Sequence, residues 1–290
     1  MKYLTPEDIF LLKNCTMCPR RCGVDRFSAV GICGASADVE ISSVNLHFGE
    51  EPPISGKSGS GTIFFTHCNL KCVYCQNYPI SQQGVGRKYT IDELADAMLF
   101  LQNRGAHNIN LVTPSHYVVQ IHRAIVIAKK RGLKIPVVYN TSGYDSSESL
   151  DIIGEVVEIF MPDLRYWDSI YAKKYSGAED YPEIARKAVK KMHHLVGDLE
   201  IDADGIARRG ILIRLLVLPE NISGTVKTLH WIAENLGTKT YLSVMSQYFP
   251  ANLAHKNPPL DRKITPQEYL DVLDTVDKLG FERGYIQQIP

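Results

Sequence analysis

Two hydrophobic rhythms alternate along the chain after residue 60. Short apolar runs at 62–66, 108–113, 136–141, 156–163, 211–218 and 240–245 read as strands buried on both faces. Between them, apolar residues recur at three- and four-residue spacing over 91–103, 117–131, 147–153, 182–196, 223–235 and 266–279, the period of helices packed on one side. Thr90 and Thr265 stand at the start of two of these stretches, each followed within a turn by Asp or Glu, as helix N-caps do. Pro266 then falls at the first helical position, where its missing N–H is harmless. Such alternation predicts an α/β fold of β/α units on a parallel sheet. The segment 199–209, with Asp204-Gly205 at its centre, reads as an inserted hairpin, and residues 285–289 offer one more short strand. The predicted organisation is a Cys-rich extension over 1–60 and a β/α domain over 61–290.

Composition narrows the setting. At 290 residues the chain suits one barrel-sized domain, and Lys plus Arg equals Asp plus Glu at 32 each. No global basic field favours nucleic acid, and no apolar run approaches the roughly 20 residues of a membrane span. The first residues, Met-Lys-Tyr-Leu-Thr-Pro-Glu-Asp, lack the charged-then-apolar pattern of a signal peptide. Seven clustered cysteines therefore read as metal ligands in a reducing cytoplasm rather than as disulfides.

The chemistry concentrates in Thr66-His-Cys-Asn-Leu-Lys-Cys-Val-Tyr-Cys-Gln-Asn77, where Cys68, Cys72 and Cys75 form a C-x3-C-x2-C run. Three thiolates this close converge on one metal. A structural zinc site and an ordinary four-iron cluster both want four ligands, whereas three leave an open coordination position for chemistry. A zinc knuckle completed by His67 or a distant ligand is the other reading of these residues. The spacing, with the aromatic Tyr74 just before the last cysteine, resembles the radical S-adenosylmethionine superfamily. Cys-Gln-Asn-Tyr resembles the iron–sulfur relatives of the pyruvate formate-lyase activating enzyme. The likeness runs through Cys-Pro-Arg-Arg-Cys, His-Phe-Gly-Glu-Glu-Pro-Pro-Ile-Ser-Gly and Met-Ser-Gln-Tyr.

A second group, Cys15, Cys18, Cys22 and Cys33, offers four thiolates in a C-x2-C-x3-C-x10-C arrangement, with Gly23, Gly31 and Gly34 allowing tight turns. A second [4Fe-4S] cluster and a structural zinc both fit that set, and unligated buried thiols are the plain alternative. Arg20, Arg21 and Arg26 either balance a tetrathiolate charge or are surface residues. Ser55-Gly56-Lys57-Ser58 resembles the end of a phosphate-binding loop, but Glu51 stands where the motif needs glycine. Glu50 and Glu51, with Pro52 and Pro53, mark an irregular segment beside the site.

The resemblance implies a partial (β/α)6 barrel whose mouth holds the cysteine loop, because barrel enzymes place chemistry at the C-terminal ends of strands. It also implies S-adenosylmethionine bound to the open iron of a [4Fe-4S] cluster. Cofactor-binding candidates are Tyr74 in the loop and residues at the strand ends. Thr113 and Ser115 stand where activating enzymes carry Gly-Gly-Glu, which this chain lacks; Ser115 also reads as an N-cap. Asn140 lies in a segment like their Thr-Asn-Gly, and Asp163-Leu-Arg165 resembles their Asp-Leu-Lys, with Arg in place of Lys. Arg214, on an otherwise apolar strand, must point into a polar lumen or pair outward with a helix. Gln247 and Tyr248 are substrate-side candidates, Tyr248 equally a core aromatic. His193, His194 and His255 read as ordinary histidines.

The implied reaction is reductive cleavage of S-adenosylmethionine to methionine and a 5′-deoxyadenosyl radical that abstracts hydrogen from a substrate. It implies an electron donor such as flavodoxin or ferredoxin. The substrate is a glycyl-radical protein or a small molecule. A non-catalytic iron–sulfur or zinc-stabilised protein is the reading from another class.

Overall fold

The computed structural model describes residues 2–288. Its strands are β1 (Val39–His47), β2 (Ser60–Phe65), β3 (Arg87–Tyr89), β4 (Ile109–Val112), β5 (Val137–Thr141), β6 (Ile159–Pro162), β7 (Glu200–Ile201), β8 (Ala207–Leu216), β9 (Tyr241–Met245) and β10 (Gly284–Ile286). Its helices are α1 (Pro6–Lys13), α2 (Pro52–Ser55), α3 (Tyr78–Ser81), α4 (Ile91–Asn103), α5 (Val118–Lys130), α6 (Ser147–Gly154), α7 (Ser169–Ser176), α8 (Tyr181–Val196), α9 (Thr225–Asn235) and α10 (Pro266–Leu279). Two short 3-10 turns follow β8 and β9.

One sheet runs in the order β10-β9-β8-β6-β5-β4-β2-β1-β3. From β2 to β10 its neighbours pair in parallel, with Thr62 beside Asn110, Val112 beside Asn140 and Arg214 beside Ser243. The six expected strands are all present. The short strand expected over 285–289 is β10, parallel to β9, although residue 289 lies outside the described residues. The inserted hairpin is β7 and the start of β8, closed by Asp202, whose carboxylate accepts the Asp204 and Ile206 N–H groups.

β1 changes the picture of the first sixty residues. It pairs antiparallel with β2 from Ile41 to His47 and carries β3 on its other edge. The extension is thus hydrogen-bonded into the same sheet, and the boundary at 60 falls at the first residue of β2.

Local sequence explains the helix starts. Thr90 accepts from the Glu93 N–H at 3.1 Å while the Glu93 carboxylate accepts from the Thr90 N–H at 2.7 Å. Thr265 and Glu268, and Thr5 and Asp8, repeat that reciprocal capping. Helices α4, α5, α6 and α8 cover the outer face of the sheet, burying Ile63, Phe65, Leu111, Val137, Tyr139 and Phe160. A second, smaller core fills the inner face at the base of the barrel. There Ile54 of α2 is fully buried among Val138, Ile159, Met161, Leu212 and Tyr241. The Asn108 side chain donates to the Ile54 carbonyl at 2.7 Å and fixes α2 in that place. The base of the barrel is therefore floored by a turn that precedes its first parallel strand.

Candidate active site

The loop after β2 carries Cys68, Cys72 and Cys75 as free thiols, and each has a hydrogen-bond donor or hydroxyl at hand. The Leu70 N–H donates to the Cys68 sulfur at 3.3 Å, the Ser176 hydroxyl to the Cys72 sulfur at 3.0 Å, and the Ser81 hydroxyl lies 3.2 Å from the Cys75 sulfur. His67 and Lys71 hold left-handed backbone, the turns that fold the loop back on itself. Burial foremost, then the neighbouring Cys72, pushes the Cys68 thiol up to about 11. Burial also raises Cys72, against the pull of the Arg165 guanidinium. Buried thiols this close need a cation to stand together as thiolates.

A cavity of about 480 Å³ opens beside this loop. Tyr74, Cys75, Asn140, Asp163, Arg165, Arg214 and Gln247 all line it, as do Glu50 and Glu51. Asn140, Asp163, Arg165, Arg214 and Glu50 form one network. Arg214 points into the lumen and not outward to a helix. Its Nε donates to Asp163 at 2.8 Å, one terminal nitrogen to the Asn140 side-chain oxygen at 2.8 Å, and the other to Glu50 at 3.4 Å. Arg165 donates to the second oxygen of Asp163. Burial works against the Arg214 charge, but Asp163, Glu51 and Glu50 outweigh it and hold the guanidinium protonated. Burial raises Glu50, opposed by Arg214. The Arg165 Nε is buried and has no partner, a donor left free for an acceptor from outside the protein.

The expected residues divide. Cys75, Tyr74, Asn140, Asp163, Arg165 and Arg214 share the cavity, with Cys68 and Cys72 behind Cys75 in the same loop. Thr113 and Ser115 are not among the lining residues. Thr113 sits in a left-handed turn with its N–H on the Asn140 carbonyl. Ser115 does not cap α5, which starts at Val118 with Tyr117 before it; its hydroxyl lies 3.1 Å from that of Thr141. Tyr248 is a core aromatic: it is buried, donates to the Leu260 carbonyl and packs edge-on against Tyr74. His193 lies 3.1 Å from Asp198 and His255 bonds the Asn252 carbonyl.

The N-terminal thiols gather on the other side of the cluster loop. A methyl group on Gly31 would sit 3.2 Å from the Cys22 sulfur and 3.4 Å from the Cys33 sulfur, so the glycine keeps a cradle between them clear. Burial pushes Cys18 up to about 12 and raises Cys15, which the buried Arg26 pulls back down. Arg20 is a clamp. It donates to the carbonyls of Asn69 and Ser176 at 2.9 Å and to that of Gly177, tying this segment to the cluster loop and to the end of α7. Arg21 is an exposed partner of Glu148. Among the described residues no group of three or more His, Cys, Asp or Glu side chains is arranged to hold a metal ion. The cysteines number three in the loop and four in the N-terminal segment, and iron–sulfur and thiolate centres use three or four sulfurs. No helix among the described residues is long and apolar enough to cross a membrane.

The sequence sets Glu50 and Glu51 beside the site without a role, and two adjacent carboxylates before Pro52-Pro53 are the signal for them; both line the cavity.

Comparison with known proteins bears on the fold and the family. A protein of Methanocaldococcus jannaschii described as uncharacterized protein MJ0674 is 29% identical over 285 residues, covering 95% of this chain and 78% of that one. The fold is similar to that of SuiB of Streptococcus suis, with a TM-score of 0.54 at 11% identity over 79% of this chain and 48% of that one. HydG, a maturase of the [FeFe]-hydrogenase, gives 0.53 at 13% identity over 75% of this chain and 49% of HydG. A radical SAM methyltransferase from Sphaerobacter thermophilus gives 0.50 at 11% identity over 77% and 66%. The chain spans about half the length of the first two of these structures. The model of the Radical SAM superfamily matches residues 62–232, more than half of the chain, and the chain belongs to that superfamily.

Proposed function

We propose that the cavity is the active site of a radical enzyme in which Cys68, Cys72 and Cys75 hold a [4Fe-4S] cluster with one open iron and the strand ends of β5 and β6 hold S-adenosylmethionine. The observation that carries this reading is the shared cavity: Cys75 and Tyr74 line the same space as Asn140, Asp163, Arg165 and Arg214. When bound, cluster and cofactor together supply one-electron reductive cleavage and hydrogen abstraction, with an external donor such as flavodoxin or ferredoxin as the electron source. The donor set fits. Three free thiols with hydrogen-bond donors beside them match a cluster left open at one iron. The partnerless Arg165 Nε matches a carboxylate ligand, to which a guanidinium offers parallel hydrogen bonds.

The chain's own residues do the rest. Arg214 holds Asp163 and Asn140 still through two 2.8 Å bonds, and Asp163 in turn fixes the Arg165 fork. Asn140 spends its oxygen on Arg214 and keeps its amide N–H groups for a ligand. Tyr74, Tyr166 and Tyr248 pack edge to face beside the loop and exclude water from that side. Cys15, Cys18, Cys22 and Cys33 hold a second centre, a [4Fe-4S] cluster in preference to zinc, that orders the N-terminal segment.

The test is made on anaerobically reconstituted protein: iron and sulfide content, the electron paramagnetic resonance of the reduced cluster with and without S-adenosylmethionine, and 5′-deoxyadenosine formation with dithionite. We expect a cofactor-responsive signal that vanishes in the C68A/C72A/C75A variant. A responsive cluster surviving in that variant would overturn the ligand assignment. A full cluster in the wild type that binds no S-adenosylmethionine would overturn the function.

A further inference from the structure

The three sulfurs of the cysteine loop differ in where their hydrogen-bond partners come from. Leu70, the donor to Cys68, is two residues along the same loop, and Ser81, beside Cys75, is six residues along. The donor to Cys72 is Ser176, 104 residues away at the end of α7. Ser176 is buried, and so is Tyr166, whose hydroxyl oxygen lies 2.8 Å from the serine Oγ. A serine hydroxyl has one hydrogen, and a thiolate can only accept. With that hydrogen on the Cys72 sulfur at 3.0 Å, Tyr166 is the donor to Ser176. The result is a directed relay, phenol to serine to sulfur, in which each bond polarises the next.

The backbone around Ser176 is held from two sides. The Val73 N–H, next to Cys72, donates to the Tyr175 carbonyl at 2.8 Å. Arg20 donates to the carbonyl of Ser176 at 2.9 Å and to that of Gly177, and its Nε donates to the Asn69 carbonyl at 2.9 Å. Gly177 takes the left-handed conformation that stops α7 at Ser176. The serine therefore meets Cys72 from a position fixed jointly by the cysteine loop and the N-terminal segment. A hydrogen bond to a ligand sulfur draws negative charge away from a metal centre. Reduction adds negative charge, so the bond strengthens in the reduced state and favours it. Hydrogen bonds to the sulfurs are one of the levers that set iron–sulfur potentials.

We infer that Ser176 raises the reduction potential of the centre that Cys72 helps to hold, and that Arg20 keeps Ser176 in place, so that the N-terminal segment acts on that centre through the end of α7. The inference rests on the radical-enzyme reading for the identity of the centre. Ser176, Tyr166 and Arg20 are positioning residues: they act through the Cys72 sulfur and not on substrate.

The test is a potentiometric titration of anaerobically reconstituted full-length protein, read by electron paramagnetic resonance at the signal that responds to S-adenosylmethionine. It needs no turnover. Ser176→Ala should move the midpoint to more negative potential by about tenfold in the one-electron equilibrium, about 59 mV, the factor of one hydrogen bond. Its iron content should stay at the wild-type value, because all three thiols remain. Ser176→Thr, which keeps a hydroxyl, should hold the wild-type midpoint. Tyr166→Phe removes only the hydroxyl behind the serine. It should move the midpoint the same way by a smaller amount, and it reports on the relay even if Ser176→Ala assembles poorly. Arg20→Ala should also move it negative. A merely structural role for these residues changes melting temperature and leaves the midpoint alone. A wild-type midpoint in both Ser176→Ala and Tyr166→Phe, or a shift to positive potential, overturns the inference. A wild-type midpoint in Arg20→Ala overturns the link to the N-terminal segment. Failure of the radical-enzyme reading shows separately, as wild-type protein with a full cluster whose resonance ignores S-adenosylmethionine.

Discussion

Arg165 and Arg214 grip the same carboxylate, yet replacing each with alanine should do different things. Arg214 is the hub: its guanidinium reaches Asp163, Asn140 and Glu50, and its side chain is only 16% exposed. Without it, Glu50 loses its one ion pair among the described residues in a buried setting, and Asn140 loses the donor to its oxygen. Breaking a buried pair from one side costs about 3–5 kcal/mol. At roughly 2–4 °C per kcal/mol for a chain of this size class, that is a melting-temperature drop of roughly 6 °C or more. Arg165 has Asp163 as its only ion-pair partner among the described residues, and Asp163 keeps Arg214 at 2.8 Å when Arg165 is gone. R165A should therefore melt close to wild type. Its buried Nε has no partner in the protein, so on the proposed function the loss appears in S-adenosylmethionine affinity: about 1.5–3 kcal/mol, or roughly 10- to 150-fold in Kd. The assays are calorimetric titration of anaerobic, iron-matched protein and thermal unfolding by circular dichroism. An R165A protein that binds the cofactor as wild type does, or one as destabilised as R214A, would refute the division of labour.

Other perturbations test the remaining parts. The pair C18A/C22A should lower the metal count by one centre while the cofactor-responsive resonance survives, and Gly31→Ala, which sets a methyl within 3.4 Å of two sulfurs, should do the same by steric means. An unchanged metal count in both would remove the second centre. Ile54→Ala should cost about 2–5 kcal/mol in chemical denaturation, because a fully buried side chain leaves a cavity at the barrel floor; a loss below 1 kcal/mol would mean that α2 is not a floor. His116 is fully buried with its Nε2 2.7 Å from the Thr66 carbonyl, and burial holds its pKa down at about 3, below the ordinary 6.5. The unfolded chain then takes up the proton first, so stability should fall as pH drops below 6.5, by about 1.4 kcal/mol at pH 5.5. His116→Gln should flatten that slope, and equal slopes would refute the assignment.

The parallel strands and their helices were legible because both periods are strong. β5 is buried at every position and opens on the apolar run Val137-Val138-Tyr139, and the Thr90 and Thr265 caps announce their helices. The cysteine loop was legible because its three cysteines are local in sequence. What escaped was non-local. β1 alternates poorly, with Ser42, Ser43 and Asn45 in its middle, and becomes a strand only by pairing with β2. Glu50 to Pro53 reads as an irregular segment beside the site because of its prolines; that it leads into the short helix α2, held at the barrel floor by the Asn108 bond to the Ile54 carbonyl 54 residues away, is not legible. Ser115 has the right chemistry for a cap, but Thr141 across the sheet claims its hydroxyl.

The Arg20 clamp has a consequence in time. Its carbonyl partners at Ser176 and Gly177 lie 156 and 157 residues further along the chain. At 5–20 residues per second, a ribosome needs roughly 8–30 s to deliver them after Arg20 itself. Earlier contacts, such as those of Ser146 and Ser149 with the Met17 carbonyl, form from chain that is already made, but the ties from Arg20 to Ser176 and Gly177 close only after α7 exists. The N-terminal segment is thus locked to the cysteine loop late in the life of the chain, and a metal at its thiols, as proposed above, would gain its full enclosure only then.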